Sequence, residues 1–355
     1  MGYTTVRDRD GAVAAAARLA GGAAAETAGA DWAARLPLLI DQVVAESGVY
    51  EPRIAALAMD QAGGDIARAC SLVRAWAAVL PRVAEVTVDA AELRAERRVT
   101  PGFAAPAGGQ YLGASLDYAQ RLLSFDQEPP SGSRDDPPHP QGGRDSDEAC
   151  PGTFPPAARP LERDGLLAPP RPEAEAVDVV RESTDRTTRG ALLQLLARAD
   201  TGTMTALAYS AIRGFAALQD PTVVELRSGH LPVRVGPVTI GELPATVAEI
   251  VLYRTHAGVP DLRLTLGLGA TPGRLERRAI AAALLDATTT RAAGDPPAAK
   301  APCEDAEFLG IVLDAQEAVG FVEHLKLPHH VTFASDLDRV RAARRLRAAG
   351  DEGEA

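Results

Sequence analysis

Cysteine is nearly absent from this chain. Cys70, Cys150 and Cys303 are the only three, an odd and widely spaced set that fits neither a disulfide framework nor a zinc or iron-sulfur ligand pattern. Any cluster chemistry therefore belongs to another chain. Basic charge is also short: Lys and Arg number 37 against 48 Asp and Glu, a formal net charge of -11. That balance argues against a broad nucleic-acid surface, because duplex binding draws most of its affinity from basic groups that neutralise phosphates. A small anion can still bind wherever arginines gather locally. No apolar run approaches the ~20 residues that span a bilayer, and the opening MGYTTVRDRD has no apolar core of the signal-peptide kind. The expectation is a cytoplasmic protein with no membrane segment.

What is present is 46% hydrophobic content over 355 residues, enough to bury roughly three quarters of the unfolded surface in one large or two medium domains. From Trp32 to Ala84 the pattern is helical. Leu39, Ile40, Val43 and Val44 form an apolar stripe that stops at Gly48. A second helix starts at Pro52, whose missing N–H needs no partner in a first turn, and ends at Gly63-Gly64. Asp65 caps a third, in which Ile66, Cys70, Val73 and Ala77 recur at helical spacing, so Cys70 reads as a core residue. Residues 127–176, with EPPSGSRDDPPHPQGGRDSDE, are too rich in Pro, Gly and charge to build a core and read as a flexible insertion. Asp135, Asp136, Asp145, Asp147 and Glu148 there read as a solvated acidic loop, which also takes in His139 and Cys150. Beyond it, Gly190 to Ala216 looks helical, Pro232 to Ile240 and Leu262 to Leu266 alternate like strands, and Arg274 to Ala287 is helix-like. The expected fold is mixed α+β: a helical part over 1–126, the insertion over 127–176, and a mixed part over 177–355 packed with the first.

Four groups of residues bear on chemistry. GFVEHLKLPHHVTF places His324, His329 and His330, half of the six histidines, within seven residues. His324 and His329 are five apart and separated by Pro328, unlike the HExxH arrangement of zinc proteases, which sets two histidines one helical turn apart. Two imidazoles do not close a metal shell. They either bind Zn2+ with help from a partner, or orient phosphate, or are structural. In GLGATPG, between strand-like LRLTL and helix-like RLERR, Gly267, Gly269 and Gly273 either let backbone N–H groups approach an anion or make an ordinary strand-to-helix turn. Arg213, Arg227, Arg277 and Arg278 lie near turn signals and would clamp a triphosphate if they converge, or form surface ion pairs if they do not. Asp117, Asp185, Glu242 and Glu276 are the carboxylates that could stabilise a developing sugar cation, each with an ordinary capping or pairing role as the alternative.

Several long blocks in order, ESGVYEPRIAALAMDQAGGD, ERRVTPGFAAPAGGQYLGASLDYAQRLLSF, TALAYSAIRGF, VELRSGHLPV, IGELPATVAEIV, GLGATPGRLERRAIAAALLD and DAQEAVGFVEHLKLPHHVTF, resemble the PhnI family of carbon-phosphorus lyase subunits. The resemblance implies an enzyme of phosphonate catabolism, a transferase. With PhnG, PhnH and PhnL it would replace the adenine of MgATP by an alkylphosphonate at ribose C1', giving α-D-ribose 1-alkylphosphonate 5-triphosphate. Alone it would act as a purine nucleotide nucleosidase. The carbon-phosphorus bond would then be broken by PhnJ, and two copies of each subunit would sit in a symmetric core complex. On this reading Asp117, Glu242 and Glu276 are the catalytic candidates, and Arg213, Arg227, Arg277, Gly267 and Gly269 hold substrate. His324 and His329 match the family's zinc ligands at the PhnJ interface. The competing expectation is a non-catalytic scaffold that presents this histidine site to PhnJ.

Overall fold

The computed structural model describes residues 15, 18, 32–84, 86–113, 115, 152–169, 177–181, 185–213, 221–256, 259–294 and 301–351. Asp117, His139, Cys150 and the acidic residues between 135 and 148 lie outside them. In chain order the helices are α1 (Trp32–Arg35), α2 (Pro37–Ser47), α3 (Pro52–Gln61), α4 (Ile66–Ala78), α5 (Arg159–Arg163), α6 (Arg189–Arg198) and α7 (Thr201–Arg213). They continue with α8 (Glu276–Gly294), α9 (Ala306–Val312), α10 (Ala315–His324) and α11 (His330–Asp351). Strands β1 (Arg94–Val99), β2 (Thr222–Val235), β3 (Val238–His256) and β4 (Val259–Pro272) form one antiparallel sheet in the order β1-β2-β3-β4. The mixed α+β expectation holds.

Local punctuation sets the first helices. Pro37 and Pro52 open α2 and α3. Gly48 ends α2 in the left-handed region, at φ 73°, and returns its N–H to the carbonyls of Val44 and Ala45. The Asp65 carboxylate accepts the Arg68 N–H and caps α4. Ile40, Val43, Val44, Met59, Cys70 and Val73 close a small core between these helices. Burial, and after it the charge of Glu46, push the Cys70 thiol up to about 12, so it packs as a hydrocarbon and is no nucleophile.

The helical stretch read from Gly190 to Ala216 is two helices. Asp200 breaks it by accepting the Thr203 N–H at 2.6 Å and starting α7. The stretch from Pro232 to Ile240 is not a single strand, because Gly236 turns at φ 55° and the chain folds back as the β2–β3 hairpin. Residues from both sides of position 126 share one sheet, since β1, from the N-terminal region, pairs with β2 from Arg94↔His230 to Val99↔Leu226. Contacts divide the chain instead into a large unit, Met1–Asp314, and a small one, Ala315–Ala355. The expected flexible insertion is also corrected over residues 152–169. There Ala157 and Ala158 are buried with Val224 and Val251, because small apolar side chains let a short loop and α5 lie against the sheet.

Alternation along β3 assigns the two faces of the sheet. Ala248, Ile250 and Leu252 join α8 and Leu309 in the main core. Val247 and Val251 point the other way, toward Leu93 and toward Ala157. On the α8 side the contact is backbone to backbone. A Cβ added at Gly267 would lie 2.1 Å from the Ala283 carbonyl oxygen, and one at Gly269 would lie 2.1 Å from that of Ala279. Both glycines are interior to β4, so of the strand-to-helix turn expected over Gly267, Gly269 and Gly273 only Gly273, at φ 78°, lies in the turn into α8. Their missing side chains admit a helix. That helix is tied to α6 by Arg278, whose guanidinium donates to the carbonyls of Ala199, Ala197 and Leu196 and to the Thr201 hydroxyl. A cation at a helix C-terminus meets the negative end of the helix dipole. Burial nonetheless lowers Arg278 to about 10, with Glu46 and Asp200 acting against the fall.

Gly269→Ala should cost about 2–3 kcal/mol or more, since no flexible group can yield to the new methyl. Arg277→Ala, on the exposed side of α8, should stay within about 0.5 kcal/mol. Urea midpoints of the two variants measure both.

Candidate functional site

The sheet face opposite α8 carries charge where hydrocarbon would be usual. Arg98 on β1 is 0% exposed and Glu225 on β2 is 1% exposed. Arg98 Nε donates to Glu225 Oε1 at 2.5 Å, and its remaining nitrogens donate to the carbonyls of Ala107, Gly109 and Pro155. The guanidinium lies 4.6 Å from the centroid of the Phe154 ring, a favourable cation–π distance. Arg227 pairs in register with Arg98 and forms a second ion pair with Glu225, Nε to Oε2 at 3.2 Å.

Across the next ladder Glu225 stands directly opposite Glu249. Both arginines turn to Glu225. The Glu249 Oε2 atom is buried and has no hydrogen-bond partner. Burial raises the Glu249 pKa first. Glu225 and Glu162 raise it further, against Arg227 and Arg98, which lower it. Beside these groups is a cavity of ≈ 470 Å³ whose lining includes Arg227, Glu249, Phe154, Val247, Leu268 and Leu196. One guanidinium and one carboxyl thus meet inside largely hydrocarbon walls.

Of the residues expected to bind substrate, Arg227 alone among the arginines lines this cavity. Arg213 ends α7 exposed and Arg277 is exposed on α8, while the neighbouring Arg278 is the buried one. The triphosphate clamp expected of Arg213, Arg227 and Arg277 is not assembled around the cavity. Gly269 borders it, and its Cα faces α8 as Gly267 does. Glu242 is paired with Arg94 at an exposed position on β3. Glu276 accepts from Arg97 Nε and lies in the first turn of α8, where a carboxylate suits the helix dipole. Asp185 accepts the Thr187 N–H and hydroxyl in the turn before α6, and these bonds lower its pKa. None of these three carboxylates is in the lining of the cavity. Sequence reasoning missed Arg98, Glu225 and Glu249. The available signal was VELR, where alternation sends Glu225 and Arg227 to one face of a buried strand.

In the small unit, His324 ends α10 and His329 precedes α11, with ring centroids 5.2 Å apart at 72°. His324 Nδ1 is bonded to the Phe321 carbonyl and His329 Nδ1 to the Leu327 carbonyl. A carbonyl only accepts, so each Nδ1 carries a proton, and in the neutral ring each Nε2 presents a lone pair. This is the orientation that metal-binding histidines use. Among the described residues no group of three or more His, Cys, Asp or Glu could hold a metal ion. The pair fits half of a zinc shell, with the other ligands coming from elsewhere.

A cavity with a guanidinium and a carboxyl in apolar walls has the chemistry to suit a small molecule that is part anionic and part apolar. The family follows from sequence comparison. The profile described as "Bacterial phosphonate metabolism protein (PhnI)" matches residues 2–347, and the chain belongs to this family. It is 38% identical over 321 residues to a Stutzerimonas stutzeri protein, HtxH, that carries the name of a C-P lyase subunit, covering 86% of this chain and 84% of that one. It is 35% identical over 335 residues to "Alpha-D-ribose 1-methylphosphonate 5-triphosphate synthase subunit PhnI" of Rhizobium meliloti, covering 90% and 87%. The Escherichia coli protein of the same name is 34% identical over 321 residues, covering 86% of each chain. No helix among the described residues is long and apolar enough to cross a membrane.

Arg98→Met should destabilise the fold by about 3–5 kcal/mol, because it removes the hydrogen-bonding partner of the buried Glu225 carboxylate and leaves it only the Arg227 ion pair. The double variant Arg98→Met, Glu225→Leu should recover much of that loss. Denaturant unfolding of the two variants provides the comparison.

Proposed function

We propose that this chain works as a subunit of a carbon-phosphorus lyase complex and displaces adenine from MgATP with an alkylphosphonate at ribose C1', water taking the phosphonate's place when companion subunits are absent. The observation that supports this reading is the convergence of Arg227 and Glu249 in one cavity, together with relatives named as ribose methylphosphonate triphosphate synthase subunits. Arg227 and Glu249 are diagonal neighbours on one sheet face, a relation that sets side chains roughly 7–8 Å apart. An in-line displacement places the incoming oxygen and the leaving nitrogen on opposite sides of C1'. The two groups can therefore serve both ends of one reaction.

Arg227 would hold anionic oxygen bidentately and orient it toward C1'. The apolar walls exclude water, which strengthens every charge interaction inside and limits hydrolysis when phosphonate is bound. Binding energy from the remote triphosphate would help fix the sugar, with Mg2+ carried on the nucleotide as part of the substrate. The companions would be subunits of the PhnG, PhnH, PhnJ and PhnL types.

The small unit supports a second role that is compatible with the first. His324 and His329, each with Nε2 unprotonated, would hold Zn2+ together with ligands from a PhnJ-type partner. Exposed Phe321, Val322, Leu325, Val331 and Phe333 beside them offer an apolar surface to that partner. The metal would act there as a Lewis acid or a template.

Two outcomes are expected. The purified chain should release adenine from MgATP, and with companion subunits and methylphosphonate the chromatogram should show the ribosyl phosphonate adduct. Arg227→Ala should lower kcat/KM about 10²-fold, while Glu242→Ala should leave it within about threefold. Absence of adenine in both mixtures, with the complex assembled, would contradict the reading. In the assembled complex, His324→Ala and His329→Ala should each remove most of the zinc found by elemental analysis without changing adenine release by the lone chain.

A further inference from the structure

We propose that Glu249 hands a proton to the departing purine, a catalytic role that rests on reading this cavity as the site of ribosyl transfer. Three observations carry it. Glu249 lines the cavity from the middle of β3, where backbone pairing on both sides fixes its place: Glu225 on β2 is in register with it, and so is Leu268 on β4. Its Oε2 atom is buried and makes no hydrogen bond within the protein, and a turn of the carboxyl toward the cavity would let a bound molecule satisfy it. The cavity walls on its own face of the sheet, Phe154, Val247 and Leu268, suit the flat face of a heterocyclic base.

The charges that face Glu249 decide its protonation. Glu225 and Arg227 come from β2, Arg98 from β1 and Glu162 from α5. Two cations and two other carboxylates would balance if the cations were shared. They are not, because Arg98 and Arg227 both engage Glu225. At Glu249 burial and like charge outweigh the two arginines and favour the neutral form. A carboxyl kept neutral in an apolar pocket is the group that general-acid catalysis needs.

The step balances without any further reagent. The C1'–N9 bond breaks and its electron pair goes to the purine, while the Glu249 proton moves to the purine ring nitrogen N7. Adenine leaves neutral. An oxygen of water or phosphonate forms the new bond to C1'. In hydrolysis the proton lost by the attacking water restores Glu249, and with phosphonate the proton comes from solvent. Nothing is oxidised or reduced.

The test compares Glu249→Gln with wild type in the chain plus its companion subunits, using ATP and 7-methyladenosine 5'-triphosphate. The methylated base already bears the positive charge and departs without a proton. Glu249→Gln should lower adenine release from ATP about 10²- to 10³-fold, yet stay within about threefold of wild type on the methylated nucleotide, which also shows that the variant is folded. The wild-type kcat for ATP should fall as pH rises through the elevated Glu249 pKa, and this alkaline limb should vanish in the variant. Equal slowing of both substrates, or of neither, overturns the proposal. So does an alkaline limb that survives in Glu249→Gln, and that limb alone decides if wild type does not accept the methylated nucleotide. Release of no base from ATP by wild type would be a different failure, that of the site itself.

Discussion

The Arg98–Glu225 ion pair is the constraint on which the rest of the large unit depends. A buried pair of this kind adds little net stability, because desolvation offsets most of its Coulomb energy. Its effect is geometric. Arg98 reaches the carbonyls of Ala107, Gly109 and Pro155 and so binds two irregular stretches of chain to the sheet. Both it and Arg227 form ion pairs with the Glu225 carboxylate. Glu249, one strand over, forms no ion pair among the described residues, and its Oε2 atom has no hydrogen-bond partner.

The opposite face makes that arrangement possible. Gly267 and Gly269 let α8 lie against β4 at backbone distance, and the alanines Ala279, Ala283 and Ala287 continue the same close approach. A sheet held this tightly on one face gives β3 little freedom to shift. Rigid support behind a strand is what fixes a side chain well enough for proton transfer. Arg278 extends the support by joining α8 to the end of α6, and Glu46, which accepts the Thr201 N–H, carries it to the N-terminal helices.

The N-terminal helices were legible because their signals are local. Proline at a first turn, glycine at a stop and aspartate at a cap act within four residues, and Cys70 followed from helical spacing. The sheet was harder to read. RAERRV in β1 looks like a charged, solvated segment, and becomes a buried strand only because Arg98 meets Glu225, 127 positions away. The long β2–β3 hairpin was seen in part, since Gly236 lies inside what looked like one alternating run. Arg227 was found from its setting in VELRSG. Glu225 and Glu249 were not, because a carboxylate's burial is set by strand register and not by its neighbours in sequence. Glu242 and Glu276 were chosen for their surrounding motifs, and each has a structural partner, Arg94 and Arg97. The histidine pair was conspicuous in sequence, and the structure adds the tautomer that its backbone contacts impose.

The central claim is that the purine sits in the cavity beside Arg227 and Glu249. The most direct test is photolabelling of the assembled protein with 8-azido-ATP, followed by mass spectrometric mapping of the modified peptide. The account predicts labelling within residues 190–200 or 266–271, suppressed by excess ATP and lost in Arg227→Ala. Labelling that is suppressed by ATP but falls only near His324 and His329 would contradict it.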